Sequence, residues 1–257
     1  MLIFATWNVN SLRVRLPLLL AWLNEARPDI VLLQETKVTD DQFPCEEIEN
    51  LKYNITFYGQ KTYNGVALLS KFPIEDITRG LPGFQDDQSR YLEVVTHGIR
   101  VASVYVPNGS AVESDKYIYK INFLRHLYSH VKTLLTYDEA LVLGGDFNIA
   151  PTDQDVYDPH KWHEQILCST AEREQYRSLV YLGMTDALRA SHPLEKELYT
   201  WWDYRAGAWQ NNCGLRIDHF LLSPQAADHL KEAFVDKTIR GIEKSSDHAP
   251  VVCRLNL

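Results

Sequence analysis

The sequence has few cysteines, and none lies in a metal-binding pattern. The four cysteines form no CxxC pair, and no histidine lies at zinc-finger spacing from any of them. This distribution argues against a zinc finger and against a disulfide framework. Reduced thiols in a cytosolic compartment are therefore expected for Cys45, Cys168, Cys213 and Cys253.

Long hydrophobic runs are absent as well. No segment of the 257 residues approaches the length of a membrane span. The N-terminal stretch MLIFATWNVN becomes polar after a handful of apolar residues, which is too short for the apolar region of a signal peptide. The sequence therefore predicts a cytoplasmic protein that does not act at a membrane.

The chain lacks a surplus of positive charge. Lysine and arginine number 26 against 34 acidic residues, which gives a formal net charge of −8. Bulk attraction to nucleic acid needs clustered cations, so a polyanionic substrate would have to be held locally. A divalent metal and a few cations would suffice, although each of these side chains taken alone is typical of solvated surface: Arg13, Arg15, Lys37 and Lys61.

No Pro/Gly/Ser-rich linker, repeat or shift in composition divides the chain. With 45% apolar residues it can bury one large core, so a single domain over residues 1–257 is predicted. Short runs rich in β-branched, leucine and aromatic residues predict strands. They are LIFATWN, DIVLLQE, NITFYG, GVALLSK, YLEVVT, IRVASVYV, ALVLGG, LRIDHFLLS and APVVCRL.

Helices are predicted between some of these strands, over residues 14–26, 114–135 and about 170–182. The second places Ile118, Ile121, Leu124, Leu127, Val131 and Leu134 on one stripe, after an N-cap region at Ser114. Other strands follow one another directly, with a hairpin turn at residues 96–98. The mixture predicts α/β layers with a mixed sheet or two sheets.

Polar side chains stand at the ends of the apolar strands. An ionised carboxylate in an apolar run is costly to bury unless it is paired or binds a cation. Local explanations exist for some: Glu35 could cap the next segment, Asp146 could serve a turn, and Asn8 could bond local backbone. Asp218, inside LRIDHFLLS, has no turn to serve, and His248 is a candidate partner.

These groups suit phosphoester hydrolysis. Mg²⁺ prefers a few carboxylate oxygens plus water and phosphate, a demand met by Glu35 with Asn10 or Asp247. Water could be activated by Asp146 held by Asn148, or by His248 held in one tautomer by Asp218. Tyr105 could donate to the phosphate or approach it as a phenolate.

The motifs also resemble a known family. They are ATWNVNSLR, LLQETK, YNGVALLSK, YVPNG, LGGDFNIAP, TWWDYR, GLRIDHFLLS and SSDHAPV. Together they resemble the exonuclease III type of abasic-site endonuclease, within the endonuclease/exonuclease/phosphatase superfamily, in order from Asn8 to His248. GDxN and SDHxP recur across that superfamily, whereas QETK, YVPNG, WWDYR and GLRID are more specific to its DNA-repair branch.

The resemblance implies a DNase I-like four-layer α/β sandwich, with two mixed β-sheets flanked by helices. It implies Glu35 as the main metal ligand, Asn8 and Asn10 on the metal side, and Asp247 there or in the surrounding shell. Tyr105 and Asn108 would contact phosphate. Asp146 and Asn148 would position the attacking water, with Asp146 favoured as base, and Asp218 would orient His248 as a phosphate-stabilising cation.

The resemblance further implies a pocket for a flipped-out abasic sugar, formed by Trp201, Leu215 and Ile217. Trp202 is expected to pack in the core instead. Three acidic residues depart from the expected pattern: Asp158 near the lesion-binding loop, and Glu113 and Asp115 after YVPNG. They bear on the balance of activities and not on the chemistry.

The expected protein is a Mg²⁺-dependent DNA-repair nuclease, with Mn²⁺ as an alternative metal, that incises 5′ to abasic sites. It would also have 3′–5′ exonuclease and 3′-phosphatase or phosphodiesterase activity, and act as a monomer on double-stranded DNA in a bacterial-type nucleoid. One alternative is a DNase I-like, inositol-phosphate or sphingolipid phosphoesterase. Another is a non-catalytic DNA-binding module, but no candidate catalytic residue has been lost.

Overall fold

Two six-stranded sheets form the centre of the protein. The computed structural model describes all 257 residues. The strands are β1 Leu2–Asn8, β2 Ile30–Gln34, β3 Asn54–Tyr58, β4 Val66–Ser70, β5 Ile74–Arg79, β6 Tyr91–Thr96, β7 Ile99–Tyr105, β8 Leu141–Asp146, β9 Thr185–Asp186, β10 Asp218–Leu222, β11 Leu230–Val235 and β12 Val251–Leu255. Their orders are β11-β12-β1-β2-β4-β3 in one sheet and β5-β6-β7-β8-β10-β9 in the other.

The chain also forms seven α-helices. They are α1 Leu12–Ala26, α2 Cys45–Glu49, α3 Asp115–Leu134, α4 Pro159–Trp162, α5 Thr170–Tyr181, α6 Ala187–Ser191 and α7 Pro224–Ala227. One apolar core lies between the sheets, a second under α1 and α2, and a third under α3 and α5. The four-layer sandwich predicted from the motifs is confirmed. None of its helices is both long and apolar enough to cross a bilayer.

The predicted helices lie within a few residues of the observed ones. Ser114 caps α3 by accepting a hydrogen bond from the Tyr117 backbone NH. His97 and Gly98 both have positive φ, as a two-residue hairpin turn between β6 and β7 requires. Ile118, predicted on the apolar stripe of α3, is exposed, whereas the other five residues of that stripe are buried.

Three strands were not predicted, and all three lie at sheet edges. They are β5, β9 and β11. β5 reads IEDITR and alternates no apolar face, since most of its side chains are exposed. β11 reads LKEAFV and buries only Ala233. An edge strand is paired on one side only, so its sequence carries little of the apolar signal on which strand prediction depends.

The strand directions bring many strand ends to one edge of the sandwich. β1 pairs in parallel with β2, and β7 pairs in parallel with β8, so the carboxyl ends of each pair lie together. β10 and β12 run antiparallel to these strands and start at the same edge, with Asp218 opposite Asp146 and Val251 opposite Thr6. Residues distant in sequence thus meet at this edge.

The two glycines before Asp146 permit close packing behind the edge. A Cβ at Gly144 would lie 2.5 Å from Phe220 Cε1 and 2.7 Å from Leu32 Cδ1, which belongs to the other sheet. A Cβ at Gly145 would lie 1.9 Å from the Val104 carbonyl oxygen. Glycine is therefore needed at both positions to seat β8 against its neighbours.

Gly144→Ala is expected to lower the free energy of unfolding by about 1–3 kcal/mol, because the added methyl overpacks a closed core. Urea denaturation measures this change. Gly241→Ala is the matched control, since a Cβ there would meet nothing closer than 3.6 Å. The control should change stability by less than about 0.5 kcal/mol. Equal stability of both variants would show that the sheets tolerate a wider spacing.

Candidate active site

The side chains of Asp218 and His248 form a buried pair at the shared edge. His248 Nδ1 lies 2.9 Å from Asp218 Oδ2 and 3.2 Å from Oδ1, so Nδ1–H donates to the carboxylate. Asp218 is fully buried and His248 nearly so. The Thr200 hydroxyl accepts from the Asp218 backbone NH at 3.1 Å, and Trp7 Nε1 donates to the His248 carbonyl at 3.1 Å. The pairing predicted between these two distant residues is present.

Asp146 faces this pair. It lies opposite Asp218 in the β8–β10 register, and its Oδ2 is 3.9 Å from His248 Nε2. Burial raises the pKa of Asp146 to about 7, against the lowering effect of His248 and with a further rise from Asp218. Burial alone would lower the pKa of His248, but Asp218 and Asp146 raise it to about 10. At neutral pH His248 is therefore protonated and Asp146 is partly ionised.

Two asparagines stand beside Asp146. The Asn148 backbone NH donates to Asp146 Oδ1 at 2.8 Å, and Asn148 Nδ2 donates to Oδ2 at 3.2 Å. Asn108 Nδ2 donates to Asn148 Oδ1 at 3.2 Å. Asn148 has positive φ, which asparagine tolerates better than most residues. The two loops carrying these asparagines are thereby joined.

Lys120 holds the same two loops from behind, and its role was not predicted. Its fully buried ammonium donates to the Asn148 carbonyl at 2.6 Å and to the Asn108 carbonyl at 3.1 Å. Its third partner is the carboxylate of Glu172, which also closes the capping box of α5. All three ammonium protons are used inside the protein. In the sequence Lys120 resembles any polar residue of an amphipathic helix, so no pattern revealed it.

Glu35 lies across the crevice from His248. Its Oε1 accepts from Asn8 Nδ2 at 2.9 Å and from the Tyr105 hydroxyl at 2.9 Å. The Asn8 amide also donates to Asp146 Oδ2 at 2.9 Å, which links the two carboxylates. Burial would raise the pKa of Glu35, but the charge of Lys37 and the Asn8 hydrogen bond lower it below the ordinary value. Glu35 is therefore ionised at neutral pH.

Asn10 and Asp247 complete this side of the crevice. Asn10 Nδ2 donates to Asp247 Oδ1 at 2.9 Å, and Trp201 Nε1 donates to Asp247 Oδ2 at 3.0 Å. Lys37 Nζ lies 2.7 Å from Glu35 Oε2 and 2.6 Å from Asn10 Oδ1. Oxygens from two separate segments thus already converge on one cationic group.

Residues 5–248 match the Endonuclease/Exonuclease/phosphatase family. The chain belongs to this family. It is 34% identical over 260 residues to exodeoxyribonuclease III of Haemophilus influenzae, covering 96% of this chain and 97% of that protein. The predicted resemblance to exonuclease III-type enzymes is confirmed, and with it the class of enzyme, a hydrolytic nuclease.

Solved structures give the same result. The 3′ phosphatase NExo from Neisseria, in a structure bound to a product DNA hairpin, is 45% identical with a TM-score of 0.98. An AP endonuclease from Archaeoglobus fulgidus is 37% identical with a TM-score of 0.96. Each alignment covers 100% of both chains. Proteins named for different reactions thus share this fold over its whole length.

The donor set of this family member fits a divalent cation. Four carboxylates, those of Glu35, Asp146, Asp218 and Asp247, face two cationic side chains, Lys37 and His248. The surplus of negative charge is one reason that the pKa of Asp146 is raised. Hard oxygen donors with surplus negative charge suit Mg²⁺ or a similar ion.

A second group of possible ligands lies beside the first. Asp146, Asp218 and His248 each offer one ligand atom, and these atoms lie within 4.8 Å of one another. All three were predicted to be catalytic residues, with the metal on the Glu35 side. A metal ion at this second position would require His248 to lose the proton that Asp218 stabilises.

The predicted sugar pocket is closed in the structure. Leu215 and Ile217 are 0% and 2% exposed, and they pack in a small cluster with Leu167 and Val156. Only Trp201 of the three predicted residues reaches the surface of the crevice, half-buried, with bridges to Leu215 and His248. Contact of a sugar with the other two side chains would require this cluster to open.

The other residues singled out in the sequence lie in the core, beside the crevice or on the surface. Trp202 is fully buried, as expected of a core residue. Arg15 holds the Asn10 carbonyl at 2.8 Å, whereas Arg13 lies on the surface beside Gln42 and Lys61 is exposed. The three departing acids are not in the crevice. Asp158 caps α4 through the Lys161 backbone NH, and Glu113 and Asp115 are exposed at the start of α3.

Asp218→Asn is expected to lower the pKa of His248 from about 10, because burial then acts against the charges of Asp146 and Asp247 without the larger one of Asp218. Ring-nitrogen chemical shifts in NMR, recorded in EDTA, measure this titration. His219 is an internal control, since burial lowers its pKa to about 4 and it stays neutral throughout.

The same pair predicts a pH dependence of stability. The folded-state pKa of His248 is raised, so the stabilisation is complete below pH 6.5 and is lost as the pH rises through about 10. The difference in unfolding free energy between wild type and Asp218→Asn should shrink over that interval. A constant difference from pH 6 to 10 would contradict the assigned protonation.

Proposed function

We propose that this family member is a Mg²⁺-dependent DNA-repair nuclease that hydrolyses phosphodiesters 5′ to abasic sites and removes blocking groups at 3′ ends. The observation that carries the proposal is the convergence of Asp146, Asn148, Asp218 and His248 at the edge shared by both sheets. The relatives named for exodeoxyribonuclease, 3′ phosphatase and AP endonuclease activity support the substrate class.

Asp146 acts as the base in this mechanism. Its pKa of about 7 leaves a substantial fraction ionised near neutral pH, where it can remove a proton from water. Asn148, fixed by Lys120 and Asn108, orients that water. The oxygen of the water attacks phosphorus as the bond from phosphorus to the 3′ oxygen breaks.

His248 and Tyr105 stabilise the phosphate. His248 is held as a cation by Asp218, and its Nε2 points toward the space beside Asp146. Burial, with Glu35 and Asp146 nearby, raises the pKa of Tyr105 well above 10, so it is a neutral donor and not a phenolate. Asn108 contacts the same phosphate from the adjoining loop. Charge that develops on the phosphate oxygens is thus met by fixed donors.

Glu35 would be the main ligand of the metal, with Asn8, Asn10 and Asp247 on the same side. When bound, Mg²⁺, or Mn²⁺ in its place, offsets negative charge on the reacting phosphate and the leaving oxygen. Lys37 occupies part of this position and would shift toward solvent or substrate. In this structure, the charge of Lys37 lowers the pKa of Glu35 and keeps it ionised.

A second candidate function is 3′-end processing as the dominant activity. The observation that favours it is the cluster of Leu215, Ile217 and Leu167, whose side chains are almost fully buried and would have to separate to admit a flipped sugar. A terminal 3′ phosphate needs no such pocket. Double-stranded DNA with a blocked 3′ end would then be preferred to an internal abasic site, and the protein would act as a monomer in either case.

The purified protein should nick a duplex that carries one abasic analogue in Mg²⁺ and leave it intact in EDTA. Parallel duplexes with a nick and with a 3′ phosphate, analysed on denaturing gels, separate the two candidate functions. Faster loss of the 3′ phosphate than incision would favour end processing. An untouched set of duplexes beside turnover of an inositol phosphate or lipid head group would contradict both.

Asp146→Asn and His248→Gln should each lower kcat by roughly 10²–10⁴-fold, since each removes a proton-transfer or charge-stabilising group. Single-turnover cleavage of the preferred duplex measures the effect. His219→Gln is the matched control for His248, because His219 is buried on β10 next to Asp218 but its Nε2 lies 2.9 Å from the Ile149 carbonyl oxygen. A near-wild-type rate in either site variant would remove that residue from the mechanism.

A further inference from the structure

Arg90 is a buried cation without an acidic partner. It is 9% exposed, and its guanidinium carbon lies 4.8 Å from the centre of the Tyr105 ring. Nε and Nη2 both donate to Gln88 Oε1, at 3.0 and 2.8 Å, while Nη1 has only a long contact of 3.4 Å to the Tyr105 carbonyl. Asp86, two residues before Gln88, accepts instead from the Tyr119 hydroxyl and the Gln88 backbone NH.

Arg216 has the acidic partners that Arg90 lacks. Arg216 is also buried, but it donates to Asp155 and Asp186 at 2.7 Å each. A buried charge is costly unless it is neutralised, and contact with an aromatic ring offsets only part of that cost. Arg90 therefore retains a positive field that the protein itself does not cancel.

This field is directed into a cavity of about 450 Å³ beside the active site. Tyr105 and Asn108 line the cavity, and both also belong to the candidate active site. Lys116 lies at its rim, exposed on the first turn of α3. No acidic side chain lines it, although the chain has a net charge of −8.

We propose that this cavity binds a phosphodiester of the DNA strand that neighbours the scissile phosphate, with Arg90 as the fixed cation and Lys116 as the mobile one. The inference rests on the proposed function, because it assumes that Tyr105 and Asn108 contact the scissile phosphate. Successive phosphates of one strand are about 3.4 Å apart along the helix axis. A strand held at Tyr105 and Asn108 therefore presents its next phosphate to the shared cavity.

Binding of a DNA phosphate by Arg90 predicts a salt dependence of affinity that a purely structural role would not produce. A cation that neutralises a DNA phosphate releases a counterion, and this adds about 0.9 to the slope of log K against log salt concentration. A residue that only supports Tyr105 would change affinity or turnover at every salt concentration alike. The salt slope is thus the measurement that separates the two roles.

Binding is measured by fluorescence anisotropy with a 3′-phosphate duplex in EDTA, in an Asp146→Asn background that limits cleavage. Arg90→Gln should lower the salt slope by about 0.9, and Arg90→Lys should restore most of it. Lys116→Gln, on the surface, should lower the slope without disturbing the core. Arg254→Gln is the control, since Arg254 pairs with Glu232 on the remote sheet edge and should leave the slope unchanged.

A substrate walk identifies the phosphate. Single neutral methylphosphonates are placed at successive positions of the cleaved strand, and binding by the parent and by Arg90→Gln is compared. One position next to the scissile phosphate should weaken the parent by at least several-fold and leave Arg90→Gln unaffected. If only the terminal 3′ phosphate shows this coupling, the cavity holds the end group, and the proposal of a neighbouring phosphodiester is wrong.

The outcomes separate the inference from the proposed function. If the parent binds no duplex at all, the proposed function falls and the inference falls with it. If the parent binds and cleaves DNA but Arg90→Gln and Lys116→Gln keep the full salt slope, the inference alone is overturned. Circular dichroism and thermal unfolding of each variant show whether Arg90→Gln remains folded, and Lys116→Gln decides the matter if it does not.

Discussion

The structure depends on neutralising several carboxylates that meet in a largely buried crevice. Asp146 and Asp218 face each other across two antiparallel strands, an arrangement that repels unless a cation lies between them. His248 supplies that cation through its bond of 2.9 Å to Asp218. Lys37 does the same for Glu35 on the opposite side. The fold thereby concentrates negative charge at the position where a metal ion and a phosphate would bind.

Strand direction makes this concentration of charge possible. Parallel pairs in each sheet send their carboxyl ends to the same edge, and the antiparallel strands β10 and β12 start there. The backbone behind the edge is held by further ionic contacts. Lys120 ties together the loops of Asn108 and Asn148, while Arg216, on one side of Asp218, is fixed by Asp155 and Asp186. Reactive groups are thus supported by buried ion pairs that do not react.

Much of this arrangement could be predicted from the sequence, for a physical reason. Central strands have an unbroken apolar signal, and a polar residue such as Asp218 inside one is conspicuous because burial without a partner is costly. Edge strands such as β5 carry no such signal. The buried positions of Lys120 and Arg90 could not be predicted, because a lone cation in a mixed sequence is most often at the surface. Closure around Leu215 also depends on packing between segments, which residue type does not reveal.

The net charge of −8 and a DNA substrate are compatible when charge is considered by position. The acids that hold a metal must lie at the reacting phosphate, where the metal compensates them. Phosphates further along the strand meet no metal and need protein cations. Arg90 lies on the other side of the Tyr105 ring from the acidic crevice. It marks the point where the substrate needs protein cations and no longer metal-binding acids. Tyr105 contacts the guanidinium through its ring and Glu35 through its hydroxyl, so the two opposite charges stay apart.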